Sequence, residues 1–471
     1  MRKKLVLLIV SFILCMPTFA ARKKKDNTTK SETAEVVNAT NTQLKFNIIT
    51  DSTAEVINDD SYWSLISIEV PEKVRIADNI FTVTSVGSKA FENCQNLTNV
   101  KIPSSITDIA NEAFSGCSNL TNINIPSSIN RIGEGAFFGC KSLSSVEIPT
   151  SVTKLEYGVF EGCKNLTSIK IHSNVKNIGG TAFYRCTSLK KIEIPSSVTS
   201  IGNGAFYGCD NLKNIIVDSN NPNYSSEDGV LYNKDKTEIV VVPGATKGKF
   251  TIPSSVISIS KGAFARCRGL KNIEIPSSVN TIEDFAFSDC EELTSISIPS
   301  SVYKIGDYAF STCKKLTAIE IPSSVTKIGD WVFSHCYSLT NIEIPSSVTS
   351  IGDWAFANCD GLTSIKIPSN VTILGDRAFF NCFSLTNINI PSSVTKIGNS
   401  AFEKCTELTS IEFPSSVTDI GEKAFYECKN LKIIIDNSEE NLKIGNDAFQ
   451  DCASVIYTKR TENPASSKEQ K

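Results

Sequence analysis

Cysteine recurs at one fixed interval along most of this chain. The cysteines from Cys94 to Cys209 lie 23 residues apart, the interval repeats from Cys267 to Cys428, and Cys452 follows after 24 residues. A period of this size is typical of stacked repeats, and it outweighs any local pattern. One 23-residue repeat cannot bury its own apolar side chains. We therefore expect the repeats to stack and to share one continuous core.

Each repeat follows the pattern C-x-x-L-x-x-I-x-I-P-S-S-V-x-x-I-G-x-x-A-F-x-x-C. Its Leu-x-x-Ile-x-Ile part alternates apolar and polar residues at its end, which predicts a half-buried strand. Proline ends that strand because it has no N–H to donate. A polar residue, often Asp, precedes Ala-Phe and predicts a short helical turn that this residue caps. The fold class is therefore an α/β solenoid of 23-residue coils, each with one parallel strand and one short helical turn.

Two stretches depart from the repeat. Residues 46–86 match it only in part and predict an N-terminal β cap, so that the solenoid covers residues 87–457. An insertion at about residues 218–250 contains two strand-like runs around Asn233–Lys236, which predicts a β-hairpin. This hairpin is either a structural elaboration or the mark of a binding face, since insertions in solenoids often lie on one.

The ends of the sequence differ from the repeats in composition. Residues 1–21 combine a basic start with an apolar run, Leu5–Cys15, that is too short to cross a bilayer, and we expect a cleaved signal peptide. A lipid on Cys15 is the alternative, although Leu14 fits such a site poorly. Residues 22–45 and 458–471 are polar and predict a disordered linker and tail. No other segment of the sequence is apolar enough to predict a transmembrane span.

Net charge argues against one class of partner. The whole sequence has 47 Lys and Arg against 50 Asp and Glu, and the first 21 residues hold three of the basic ones. The remaining chain is therefore mildly acidic. Because nucleic acids attract basic surfaces, we expect no nucleic-acid partner.

The full repeat identifies a family by resemblance. The combination of IPSSV, IG, AF and C at a period of 23 residues resembles the BspA-like, treponemal-type leucine-rich repeats over about residues 86–457. The resemblance implies a secreted or cell-surface protein that binds other proteins, with adhesion to host matrix proteins or other cells as the leading function. A structural component of the envelope or matrix that associates with itself is the alternative.

Two surfaces are candidates for binding. The outward positions of the strands form a polar face on the expected concave side, which includes Glu274, Glu320, Glu343 and Lys366. The position before Ala-Phe forms a second row in five successive coils, and an Asp precedes each of its members. This row comprises Phe285, Tyr308, Trp331, Trp354 and Arg377. These side chains either pack on one another or form a contact strip, since Trp, Tyr and Arg dominate interface hot spots.

The same residues give little reason to expect catalysis or a metal. His335 directly precedes Cys336, but adjacent residues seldom face each other, and that cysteine belongs to the repeat. The other histidine, His172, replaces a turn proline. No C-x-x-C spacing predicts zinc, so we expect no enzyme activity, cofactor or metal. One cysteine per coil, in an odd total of fifteen, predicts a ladder of buried free thiols that pack as small apolar residues.

Overall fold

The computed structural model describes residues 43–458. The expected signal peptide, Cys15, the linker up to residue 42 and the tail from residue 459 lie outside the described residues. The chain divides into two compact units. The first unit extends to Leu189 and adds Pro195–Phe206, whereas the second comprises Lys190–Ile194 and continues from Tyr207.

Each coil contributes one longer strand to a parallel ladder. Ile296 pairs with Ile319, and Ile319 pairs with Ile342, so the register advances by one repeat at each step. In the first unit these strands are Ser67–Glu69, Asn99–Lys101, Asn122–Asn124, Ser145–Glu147 and Ser168–Lys170. In the second unit they are Lys191–Ile194, Asn214–Val217, Lys247–Thr251, Gly269–Glu274, Ser295–Ser297, Ala318–Glu320, Asn341–Glu343, Ser364–Lys366, Asn387–Asn389, Ser410–Phe413, Lys432–Ile435 and Ser454–Tyr457.

A second ladder of two-residue strands follows the Pro-Ser-Ser turns, with a buried Ile or Leu at the second position of most of them. In the first unit these strands are Asp108–Ile109, Arg131–Ile132, Lys154–Leu155, Asn177–Ile178 and Ser200–Ile201. In the second unit they are Ser258–Ile259, Thr281–Ile282, Lys304–Ile305, Lys327–Ile328, Ser350–Ile351, Ile373–Leu374, Lys396–Ile397, Asp419–Ile420 and Lys443–Ile444.

The two irregular stretches also consist of strands. At the N-terminal end, the strands are Phe46–Thr50, Thr53–Val56, Lys73–Ile76 and Asn79–Val86. The insertion contains three antiparallel strands, Tyr224–Glu227, Val230–Asn233 and Glu238–Val241. The last of these pairs in parallel with Ser258–Ile259, so the insertion continues directly into the ladder of short strands.

The helical turn expected around Ala-Phe is wrong. Residues 43–458 contain no α-helix, and the helical elements there are two short 3-10 helices, Asp60–Ser64 and Glu439–Asn441. Around Ala286, alternate backbone N–H groups bond in different directions. Ala286 donates within its own coil to Glu283, whereas Phe285 and Phe287 donate to Asp307 and Ala309 of the next coil, across 2.9 and 2.8 Å. An α-helix would use every N–H within the segment. Here every second N–H instead donates to a carbonyl oxygen of the next coil.

The core of each unit contains a stack of phenylalanines, one from each coil. In the first unit the rings of Phe114 and Phe137 are stacked nearly parallel with their centroids 5.6 Å apart, and both side chains are fully buried. In the second unit Phe310 and Phe333 repeat this arrangement at 5.7 Å. The inward Leu, Val and Ile of the repeat surround these rings. Because each ring packs on its neighbours, burial depends on stacking of coils rather than on any one coil.

Candidate binding surfaces

The aromatic row is defined here as Phe285, Tyr308, Trp331, Trp354 and Arg377. Its rings stack with centroid distances of 4.5, 5.5 and 4.4 Å from Phe285 to Trp354. The guanidinium carbon of Arg377 lies 4.9 Å from the Trp354 ring centroid. At the other end, the Lys261 ammonium lies 5.4 Å from the Phe285 centroid. Cations therefore occupy both terminal ring faces, and the row presents ring edges rather than faces.

All five members of the aromatic row are half-buried and have left-handed backbone conformations, with φ between 53° and 59°. Among the other described coils, four hold glycine at this position, for example Gly135 and Gly158, and six hold a polar residue that is also left-handed. A left-handed φ costs a side chain with a Cβ about 1 kcal/mol or more relative to glycine. Bulky rings here therefore stack at a position where the backbone itself favours glycine. The sequence predicted the row but contained no sign of this conformation.

The row of aspartates beside the aromatic row does not cap helices, which corrects the prediction from sequence. Asp307 Oδ1 accepts the backbone N–H of Asp330 across 2.9 Å, and Asp330 Oδ1 accepts that of Asp353 across 3.0 Å. Asn111 and Asn399 make the same bond to the next coil. These side chains thus cap the following coil. Burial and the neighbouring carboxylates of Asp330 and Asp376 raise the pKa of Asp353.

The strand face consists of the outward side chains of the longer strands. Glu274, Glu320, Glu343 and Lys366 are exposed, as their alternation with buried isoleucines predicts. Glu320 and Glu343 stand directly opposite each other in adjacent strands, where like charges repel. Glu274 instead forms an ion pair with Lys249 across 2.6 Å. The structure therefore places two of the candidate carboxylates side by side and neutralises a third. The aromatic row and the strand face occupy different segments of each coil.

Comparison with known proteins identifies the repeat. Residues 61–187, 131–247, 244–348 and 326–456 match the family described as BspA type leucine rich repeat region, with 6 copies. The chain belongs to this family. Its resemblance to BspA-like repeats is thus confirmed. Comparison with curated protein sequences gives no match.

Solved structures of bacterial proteins share the fold of this BspA-type leucine-rich repeat chain. A leucine rich cell surface protein from Faecalibacterium prausnitzii is 30% identical, with a TM-score of 0.51, over 79% of this chain and 93% of its own. A leucine-rich repeat protein from Eubacterium ventriosum is 27% identical, with a TM-score of 0.53, over 82% and 92%. The pneumococcal vaccine antigen PcpA, at 19% identity and a TM-score of 0.50 over 91% and 100%, is similar in fold.

The cysteines of these BspA-type repeats are free thiols, and fourteen of the fifteen described are buried. The Sγ of Cys336 donates a hydrogen bond to the carbonyl oxygen of Phe310 across 3.2 Å, and the same bond recurs along both units. The thiols are therefore hydrogen-bond donors as well as apolar residues, a role that sequence reasoning missed. Burial raises the pKa of Cys336 to about 12.

His335 lies in a polar ladder rather than beside a nucleophile. Its Nδ1 is 2.8 Å from Ser334 Oγ, and its Nε2 is 3.2 Å from the amide nitrogen of Asn358. Burial, together with the nearby charge of Lys314, lowers the pKa of His335 to about 4. His172 Nε2 lies 2.6 Å from the carbonyl oxygen of Pro149 in the preceding coil. Both imidazoles are thus held by contacts between coils.

Within residues 43–458, no group of three or more His, Cys, Asp or Glu side chains is placed to hold a metal ion. No helix within the same residues is long and apolar enough to span a membrane.

Proposed function

We propose that this chain is a protein-binding scaffold of the cell surface or the secreted fraction, with adhesion to host matrix proteins or other cells as its activity. Membership of the leucine-rich repeat family supports a role in protein binding. A relative with 30% identity is described as a cell surface protein. In this proposal residues 1–21 direct export, residues 22–45 act as a linker, and the chain acts by binding rather than by catalysis.

The aromatic row is the observation that carries this proposal. Four aromatic side chains and one arginine stand in successive coils at a position that elsewhere holds glycine or a polar residue, and each has a left-handed φ. Backbone strain of this kind is kept where the surrounding structure or a function compensates for it. Half-buried Trp and Tyr edges beside Arg377 have the composition of an interface hot spot. We therefore propose the row, rather than the whole surface, as the main contact.

Binding of the purified chain to immobilised matrix proteins and to cells tests the proposal. We expect saturable binding, and we expect Trp331→Ala combined with Trp354→Ala to weaken it at least tenfold, since hot-spot residues contribute about 2 kcal/mol or more each. Tyr303→Ala is the matched control, because this side chain is exposed but lies outside the row. Its binding should match that of the wild type.

Two results would contradict this assignment. Unchanged binding by the folded double variant would exclude the aromatic row as the contact. In that case Glu320→Lys and Glu343→Lys test the strand face. A loss of binding by these variants would identify the strand face as the contact surface. Absence of saturable binding to every matrix protein and cell type would instead favour the structural role in the envelope or matrix.

A further inference from the structure

The last described coil leaves the core of the second unit open. Six of its apolar side chains pack on the core but remain only half-buried. Phe425 and Cys428, one coil earlier, are 0% exposed, whereas Phe449 and Cys452 at the same positions are partly exposed. The six residues, named here the end face, are Leu442, Ile444, Phe449, Cys452, Val455 and Tyr457.

The backbone of the end face has donors on one side and acceptors on the other. In the preceding coil, Lys423, Phe425 and Glu427 donate their N–H groups forward to the last coil. The corresponding N–H groups of Asp447, Phe449 and Asp451 donate to no backbone carbonyl among residues 43–458. Asp447 and Asp451 are exposed, so water can satisfy their N–H groups in the monomer, and the same groups remain available to a partner.

The strands on the other side of the coil have the opposite polarity. There the later coil donates backward, as Gly445 does to Ile420 and Thr458 does to Ile435, across 2.8 and 2.9 Å. By the same repeat, the carbonyl oxygens of Ile444 and Tyr457 point away from the preceding coil. The end face therefore has a row of donors on its turn side and a row of acceptors on its strand side.

The start of the first unit is closed by its own chain. The ring of Tyr62 lies 5.5 Å from that of Phe91, and both side chains are fully buried. Residues 459–471 contain only two apolar side chains, Pro464 and Ala465. A head-to-tail contact between copies would meet the closed end, whereas two end faces remain free to meet each other.

We propose that two copies of this chain associate through their end faces. A two-fold axis between the turn side and the strand side places the donors of one copy against the acceptors of the other, and the reverse contact follows by symmetry. The same rotation brings the half-buried apolar side chains together. The contact between the two molecules would therefore resemble the stacking of adjacent coils within one unit.

The size of the end face sets the expected affinity. The end face has six apolar side chains, against roughly 20–30 residues per partner in a standard interface, so we expect a reversible dimer with a dissociation constant on the order of 10 µM. The dimer is closed, because pairing leaves no second end face exposed. We therefore expect dimers and no longer oligomers.

Sedimentation equilibrium of the purified full chain tests the proposal, with Ile444→Glu as the variant and Ile456→Glu as the matched control. Ile444 lies on the end face, whereas Ile456 belongs to the same coil but is 53% exposed on the strand face. We expect a monomer–dimer equilibrium for the wild type and for Ile456→Glu. Ile444→Glu should associate at least tenfold more weakly, since the contact would bury an unpaired charge. Circular dichroism confirms that both variants fold.

Hydrogen exchange and a truncation after Thr458 complete the test. Exchange at the amides of Asp447, Phe449 and Asp451 should slow as concentration rises through the dimer range, and the truncated chain should still dimerise. A wild type that stays monomeric at about 500 µM, more than tenfold above the expected constant, would overturn the proposal. An open-ended series of oligomers, or dimerisation only after truncation, would do the same, because each identifies a different occupant of the end face.

Discussion

The thiol of Cys359 donates a hydrogen bond to the carbonyl oxygen of Phe333, in the preceding coil, across 3.2 Å. The same carbonyl oxygen accepts the backbone N–H of Cys336, also across 3.2 Å. One oxygen therefore closes the turn of its own coil and accepts a bond from the next. Cysteine suits this position because it is small enough to lie in the stacked core and still has an S–H to donate.

The thiols should be unreactive in the folded chain. Burial raises the pKa of Cys336 to about 12 and that of Cys94 to about 11, so almost no thiolate exists at pH 8. We expect slow reaction with a disulfide reagent in native buffer and rapid, complete reaction in guanidinium, with Cys452 the first to react because it is the most exposed. A deficit of free thiols in unfolded, non-reduced protein would instead reveal disulfides.

Stacking and backbone strain oppose each other at Trp331, and two substitutions separate them. Both Trp331→Ala and Trp331→Gly remove the ring contacts to Tyr308 and Trp354. Only glycine also relieves the left-handed φ of 58°. We expect the glycine variant to be about 1 kcal/mol more stable than the alanine variant in urea unfolding. Equal stabilities, or a more stable alanine variant, would show that this φ is not strained.

The aspartate ladder should tolerate asparagine but not alanine. Asp330→Asn keeps an oxygen that accepts the N–H of Asp353, as Asn399 already does for Glu422. We expect it to match or slightly exceed the wild type in thermal stability, because it also removes one charge from a row of carboxylates. Asp330→Ala should lose about 1 kcal/mol, as other lost caps do. If both variants unfold alike, the bond between coils contributes nothing.

Glu161 should make the stability of the first unit depend on pH. Its carboxyl is buried, and this burial raises its pKa from 4.5 to about 7 despite the nearby Thr181 hydroxyl and the charge of Arg185. The folded chain therefore holds this proton more tightly than the unfolded chain does. The resulting stability is fully present below pH ~4.5, and it is lost as the pH rises through about 7.

The substitution Glu161→Gln isolates this effect. It should stabilise the chain at pH 8 by up to about 3 kcal/mol, the equivalent of the pKa difference, and should change little at pH 4. Urea unfolding at the two pH values measures the difference. Glu156→Gln is the control, because Glu156 lies in the same coil but pairs with Lys154 near the surface. A pH-independent gain for Glu161→Gln would show that ionisation of this carboxyl does not limit stability.

The sequence by itself determined the repeat, its period and its inward positions. The spacing of Cys, Leu, Ile, Val and Phe identified the buried side chains, because a coil that stacks on copies of itself must bury the same positions each time. The aromatic row and the outward strand positions were also visible, since both interrupt or alternate with that pattern. Whether these surfaces bind a partner stays a prediction.

Only the tertiary structure decided how the backbone around Ala-Phe is hydrogen-bonded. The local sequence suits a capped helical turn, yet every second N–H there donates to the next coil, and two residues four positions apart, such as Phe285 and Asp289, adopt a left-handed φ. The aspartates, the thiols and the rings of the aromatic row likewise find their partners one coil away. Such contacts join residues about 23 positions apart, and they exist only once the coils are stacked. A local pattern therefore predicts what each coil buries, whereas neighbouring coils decide how its polar groups are satisfied.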